Sequence, residues 1–97
     1  MKGEEMEMKK RQFTLYGIVQ GVGFRFFTAK EARKIGVSGY VKNLSDGSVL
    51  VVAGGSAEQI ERLRSWLQNG PPTARVDRVI EQEYEAELDA GEFAVKH

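Results

Sequence analysis

The stretch "GIVQGVGFRFFT", residues 17–28, marks the point where a strand pattern gives way to a helix pattern. Before it, residues 12–19 alternate between two faces and are rich in strand-forming side chains. After it, apolar residues recur at helical spacing over residues 24–35, and Gly36 follows as a suitable C-terminal stop. The sequence therefore predicts a strand, a glycine loop and a helix in succession.

Each later segment carries its own local signal. Strand patterns cover residues 37–43, 48–53, 75–84 and 92–97, and a second helix pattern covers residues 57–69. Ser56 and Gln59 form a capping box at the start of that helix, and "LSDG" at residues 44–47 predicts a hairpin turn. This order is typical of an α+β, ferredoxin-like split β-α-β sandwich, with two helices on one face of an antiparallel sheet.

Length and charge limit the organisation and the partners. The 97 residues suit one domain, predicted over residues 12–97, with residues 1–11 as an N-terminal extension. Fourteen basic and fourteen acidic residues cancel, which argues against general nucleic-acid or membrane binding. The chain has no long apolar run, and its N-terminus lacks the apolar core of a signal peptide. A cytoplasmic monomer is expected.

Few side chains of the usual catalytic types are present. There is no cysteine, which excludes disulfides, thiolate nucleophiles and cysteine metal sites. The only histidine is His97 at the end of the sequence, a poor place for a general base. The acidic run at residues 81–92 has the spacing of a solvated face and a hairpin rather than of a metal site. No metal and no cofactor are expected.

The glycine loop is the first candidate site. Glycines permit positive φ angles that turn successive backbone N–H groups into one concavity, and a helix N-terminus adds a positive partial charge. A tight strand-to-helix connection is the plainer explanation. Arg25 favours an anion site, because a cation in the first turn of a helix opposes the dipole unless an anion is bound. The alternative is a surface arginine that packs on an aromatic ring or pairs with Glu31.

Asn43 is the second candidate. It ends a predicted strand just before the turn, where asparagine commonly bonds to the turn backbone. If that strand lies beside the first one, Asn43 comes close to the mouth of the glycine loop. An amide there can both donate to and accept from a water molecule. Either role is compatible with the sequence.

Three motifs together carry a family resemblance. "GIVQGVGFRFF", "GYVKNLSDGSV" and "WLQNGPPTARVDRV" resemble the acylphosphatases, small enzymes with the split β-α-β fold. The resemblance extends from about Gln12 to the C-terminus. It implies hydrolysis of an acyl phosphate to a carboxylate and inorganic phosphate without a metal.

The resemblance also implies roles for individual residues. Asn43 would orient the attacking water. The phosphate, or another small anion, would be held by the guanidinium of Arg25 and by the backbone amides of Gln20, Gly21, Val22, Gly23, Phe24 and Arg25. The chain departs from the family where basic or acidic residues are common, at Ile18, Leu50 and Gly54.

Two other classes of function remain open at this point. The same domain resembles the N-terminal part of larger hydrogenase-maturation proteins, so a non-catalytic anion-binding or carbamoyl-phosphate-binding module is one alternative. RNA-recognition domains share the order of elements, but they stack bases on aromatic residues of the first and third strands. The predicted third strand, "SVLVVA", has no aromatic residue.

Overall fold

The computed structural model describes residues 8–97. Residues 1–7, which form most of the predicted N-terminal extension, lie outside the described part. The elements, in chain order, are β1 (Lys9–Ile18), α1 (Phe24–Ile35), β2 (Ser38–Asn43), β3 (Val49–Gly55), α2 (Ala57–Leu67), β4 (Arg75–Glu83) and β5 (Phe93–Lys96). This succession confirms the predicted α+β order of strands and helices.

The first strand is longer than its sequence pattern indicates. It begins at Lys9, three residues before the predicted start at Gln12, so residues 9–11 belong to the sheet rather than to an extension. These residues pair with residues 53–55 of β3. Strands pair through backbone groups, so a segment with charged side chains can extend a strand. Such a segment lacks the apolar alternation from which strands are predicted.

The sheet is mixed rather than wholly antiparallel. Its five strands lie in the order β4-β1-β3-β2-β5. Three pairs are antiparallel as predicted, but β5 runs parallel to its neighbour β2, which corrects the expectation of an antiparallel sheet. β4 and β5 form opposite edges of the sheet, and residues 84–92 cross from one edge to the other, so β5 runs opposite to β4 and therefore parallel to β2.

Both helices begin and end through local interactions. The left-handed Gly36 ends α1, with its N–H bonded to Ala32 O at 2.8 Å. At the start of α2, the hydroxyl of Ser56 accepts from Gln59 N, and the Gln59 side chain accepts from Ser56 N, which confirms the capping box. Within residues 8–97, neither helix has the length and apolar character needed to cross a membrane.

The helices cover one face of the sheet and enclose a single apolar core. Alternate residues of β1 point into it, and α1 contributes Phe24, Ala29 and Ala32, whereas Phe27 is only half-buried. The largest apolar side chains in the core are Phe13, Leu15, Val19, Phe24, Val37, Val41, Val49, Val51, Ile60, Leu63, Leu67 and Phe93. Removing this surface from water stabilises the fold and holds α1 rigidly behind the glycine loop.

Candidate active site

Three strands end at the same edge of the sheet. Because β1 and β2 are both antiparallel to β3, they run in the same direction, and β5 runs parallel to β2. Leu15 and Asn43 both pair with Val49, which places the ends of β1 and β2 at one level. The two strands are not direct neighbours, since β3 lies between them. Asn43 nevertheless reaches the glycine loop across this one intervening strand.

The glycine loop has the backbone conformation that an anion cradle requires. Gly21 and Gly23 adopt φ angles of 77° and 78°, in the left-handed region that disfavours other residues. Gly23 is the N-cap of α1, where no side chain caps the helix, and the first turn contains no acidic residue. The N-terminal N–H groups of α1 therefore keep their positive partial charge available to a ligand.

Arg25 supplies a full positive charge beside this loop. Its guanidinium Nη1 donates to Lys96 O at 2.9 Å and lies 3.3 Å from Nδ1 of His97. Among the ion pairs of residues 8–97, none includes Arg25, and Glu31 lies 3.9 Å from Lys34 instead. The alternative of an Arg25–Glu31 pair is therefore wrong. The Lys96 carbonyl orients the guanidinium, and no acidic side chain of residues 8–97 forms an ion pair with it.

Two side chains brace the loop against neighbouring segments. Nε2 of Gln20 donates to Leu44 O and Ser48 O, each at 2.8 Å, which ties the loop to the β2–β3 turn. The hydroxyl of Thr73 donates to Val22 O at 2.7 Å and ties the loop to the segment before β4. The side chain of Gln20 is thus a structural link.

The β2–β3 turn is stabilised by a residue other than Asn43. Asp46 accepts a hydrogen bond from Ser48 N at 2.9 Å and a second one from the Ser48 hydroxyl. These bonds lower the pKa of Asp46 below its ordinary value. For Asn43, no side-chain hydrogen bond is found to any residue in the 8–97 range. The amide of Asn43 is consequently free to face the cleft next to the glycine loop.

A cleft of about 300 Å³ brings these groups together. Five of the residues predicted from the sequence line it, namely Gly21, Gly23, Phe24, Arg25 and Asn43. Gln20 and Val22 do not line it; the Gln20 side chain contacts the β2–β3 turn, and Val22 O accepts from Thr73.

Four further lining residues were not singled out by the sequence. They are Val19, Phe26, Val95 and His97. His97 was set aside as a terminal residue, but the parallel pairing of Lys42 with Lys96 carries it to the cleft. Nothing in the local sequence signals a parallel pairing.

A metal-binding site would need a cluster of suitable side chains among the described residues. No group of three or more histidine or acidic side chains within residues 8–97 is close enough to hold a metal ion. The positively charged groups of the cleft suit an anion instead.

Comparison with known proteins identifies the family. The acylphosphatase family model matches residues 11–95. An acylphosphatase from Mannheimia succiniciproducens is 58% identical over 90 residues, which cover 93% of this chain and 100% of that protein. One from Actinobacillus succinogenes is 57% identical over 89 residues, 92% of this chain and 99% of its own.

A solved structure agrees with these sequences. The acylphosphatase of Coxiella burnetii superposes with a TM-score of 0.87 at 40% identity, covering 99% of this chain and 100% of that one. The fold, the motifs and the sequence relatives lead to the same assignment. The chain belongs to the acylphosphatase family, a family of enzymes that hydrolyse acyl phosphates.

Proposed function

We propose that the protein hydrolyses acyl phosphates in this cleft, with Arg25 and the backbone amides of residues 20–25 holding the phosphate and Asn43 orienting the attacking water. One observation carries the proposal. The Arg25 guanidinium, an uncapped helix N-terminus and an asparagine amide line the same 300 Å³ cleft. Each of these groups suits a different part of the reaction.

The chemistry requires little beyond these groups. Attack at phosphorus expels a carboxylate, whose conjugate acid has a pKa of about 4, so the leaving group needs no general acid. Phosphoryl transfer depends mostly on positioning and on neutralising charge on the equatorial oxygens. Backbone N–H groups and Arg25 can provide this neutralisation. The amide of Asn43 can accept a hydrogen bond from the water and direct its lone pair toward phosphorus.

The proton of the attacking water needs an acceptor. We propose that it passes to a phosphate oxygen of the substrate, because no aspartate or glutamate side chain lines the cleft within the described residues. His97 is the one imidazole in the chain, and its exposed ring lies at the rim. A His97→Asn variant should keep most of its turnover. Loss of turnover with intact phosphate binding would identify His97 as a base and contradict this step.

The decisive experiment measures benzoyl-phosphate hydrolysis in excess chelator. Arg25→Ala should lose both phosphate binding and turnover. Asn43→Ala should bind inorganic phosphate normally but lose turnover. Removal of one preorganised charge-stabilising group typically costs about 10²–10³-fold in rate. Binding without hydrolysis by the wild-type protein would instead support a non-catalytic anion-binding module.

The chain offers matched controls for both variants. Arg33 also lies on α1 and donates to a β5 carbonyl, Phe93 O, from Nε at 3.2 Å and Nη2 at 2.8 Å, but it lies outside the cleft. Arg33→Ala should retain activity, and so should Asn69→Ala, which changes an exposed asparagine. Wild-type affinity and rate in Arg25→Ala would contradict the proposal.

A further inference from the structure

Phe26 is an exposed aromatic residue beside an anion site. Its side chain is 64% exposed, more than Ile18 at 52% or Met8 at 50%. It lies in the first turn of α1 and lines the same cleft as Arg25 and Asn43. Single exposed apolar residues are common, but Phe26, unlike Ile18 and Met8, lines the cleft, where its ring offers an apolar surface that a bound ligand can cover.

The ring of Phe26 is held by its neighbour. It packs edge-to-face on Phe27, with ring centroids 5.3 Å apart and an interplanar angle of 76°. Such pairs are favourable beyond the area that they bury. Because the backbone at this point belongs to a helix, the ring is presented on a rigid support. A ligand that stacks on it would therefore lose little further conformational entropy.

The cleft divides into a charged part and an apolar part. The phosphate-binding part consists of the glycine loop and Arg25. The remaining lining includes Phe26 and Val95, together with apolar atoms of Val19 and Phe24 at the floor. Among the described lining residues, Arg25 is the only one with a permanent positive charge. A second anionic group on the substrate would find no second cation there.

We propose that Phe26 contacts the acyl group of the substrate and that the protein prefers acyl phosphates with an uncharged, apolar and especially aromatic acyl group. This inference rests on the proposed function. Once the phosphate occupies the loop, the acyl group must extend from it toward the mouth of the cleft. Phe26 and Val95 are the apolar surfaces available at that position. An aromatic acyl group can stack on the Phe26 ring, whereas an acetyl group is too small to cover it.

The test compares benzoyl phosphate with acetyl phosphate in wild type and Phe26→Ala. The two compounds differ in intrinsic reactivity, so the informative quantity is the change in their kcat/KM ratio between variants. Loss of an aromatic contact should lower the ratio of benzoyl to acetyl phosphate by about two- to tenfold. A third substrate, 4-carboxybenzoyl phosphate, adds a negative charge at similar size. Wild type should hydrolyse it less efficiently than benzoyl phosphate.

Ile18→Ala is the matched control, because Ile18 is exposed and apolar but does not line the cleft. Its substrate ratio should equal that of the wild type, and circular dichroism should show each variant to be folded. An unchanged ratio in Phe26→Ala, with both compounds hydrolysed, would overturn this inference and leave the proposed function intact. Failure of the wild type to hydrolyse either compound would overturn both.

Discussion

Gln20 shows how a single side chain can join two parts of a site. The sequence placed it in the phosphate-binding loop, where its backbone amide remains a proposed phosphate ligand. Its side-chain amide donates instead to Leu44 O and Ser48 O, on the turn that follows Asn43. Each acceptor also takes a backbone hydrogen bond within the turn, Ser48 O from Leu44 N at 2.9 Å and Leu44 O from Gly47 N at 3.2 Å, so Gln20 adds a second donor to both carbonyl groups.

Replacement of Gln20 by alanine should therefore affect both stability and catalysis. Loss of the two side-chain bonds leaves each carbonyl group with its backbone partner, so the free energy of unfolding should fall by the net contribution of two ordinary hydrogen bonds, about 1–2 kcal/mol. Turnover should fall as well, because the turn that positions Asn43 is no longer tied to the loop. Urea denaturation and benzoyl-phosphate kinetics measure the two effects.

Gln12→Ala is the matched control for this change. Gln12 also donates from its side-chain amide, but to Gln82 on an exposed surface at 3.3 Å. Its removal should change the free energy of unfolding by less than about 0.5 kcal/mol. Equal effects from both variants would show that the Gln20 bonds contribute nothing specific.

At the scale of elements, Glu81 connects a helix to two strands. This β4 residue accepts from Arg64 of α2 at 2.7 and 2.8 Å and from Arg11 of β1 at 2.7 Å. Its side chain is 21% exposed, so these bonds are partly shielded from water. The sequence predicted a solvated face for this part of the acidic run, and for Glu81 that prediction is wrong. The spacing of residues along a strand predicts which face a charged side chain lies on. It does not predict which distant arginines form ion pairs with that side chain.

Glu81→Gln should destabilise the fold in a pH-dependent way. The hydrogen bonds from Arg64, with a further contribution from Arg11, lower the pKa of Glu81 below its ordinary value of 4.5. A lowered pKa in the folded state adds stability above about pH 4.5, and this stability is lost as the pH falls through the folded-state pKa. The variant should therefore lose about 1–3 kcal/mol at pH 7.

Urea denaturation at several pH values tests this link between elements. The difference between wild type and Glu81→Gln should begin to shrink below about pH 4.5, where the carboxylate of the unfolded chain becomes protonated, and should be lost once the pH falls below the lowered pKa of the folded state. Asp77→Asn is the control, because Asp77 forms an exposed ion pair with Arg75. The Asp77 side chain is 49% exposed and the Arg75 side chain is 70% exposed. That variant should lose less than about 1 kcal/mol at neutral pH. A pH-independent difference for Glu81→Gln would contradict the electrostatic explanation.

At the scale of the whole molecule, the cleft should couple anion binding to global stability. A ligand that binds only the folded state raises the free energy of unfolding by mass action. Inorganic phosphate at ten times its Kd should add about 1.4 kcal/mol. For a domain of this size, the corresponding rise in Tm is about 6–11 °C.

Thermal denaturation with and without phosphate, at matched ionic strength, measures this shift. Arg25→Ala should abolish it, because the only permanent positive charge in the described lining of the cleft is removed. Arg33→Ala should retain it, although it loses two hydrogen bonds to Phe93 O. A full shift in Arg25→Ala would indicate that phosphate binds elsewhere on the protein.

Local signals determined the elements of this protein. Alternation in β1, the glycine stop at Gly36 and the capping box at Ser56 each involve residues within a few positions of one another. Such interactions operate in any tertiary context, which is why helix α1 begins and ends where the sequence predicted. The fold class followed from the order of these elements, and the motifs were specific enough to indicate the family.

Only the tertiary structure decided which distant residues share the cleft. Alternation shows which side chains share a face of a strand, but it does not show which strand lies next to which. The insertion of β3 between β1 and β2 and the parallel pairing of β5 come from long-range backbone pairing. That pairing brings Asn43, Arg25 and His97 to one edge of the sheet, and the packing of α1 leaves Phe26 exposed beside them.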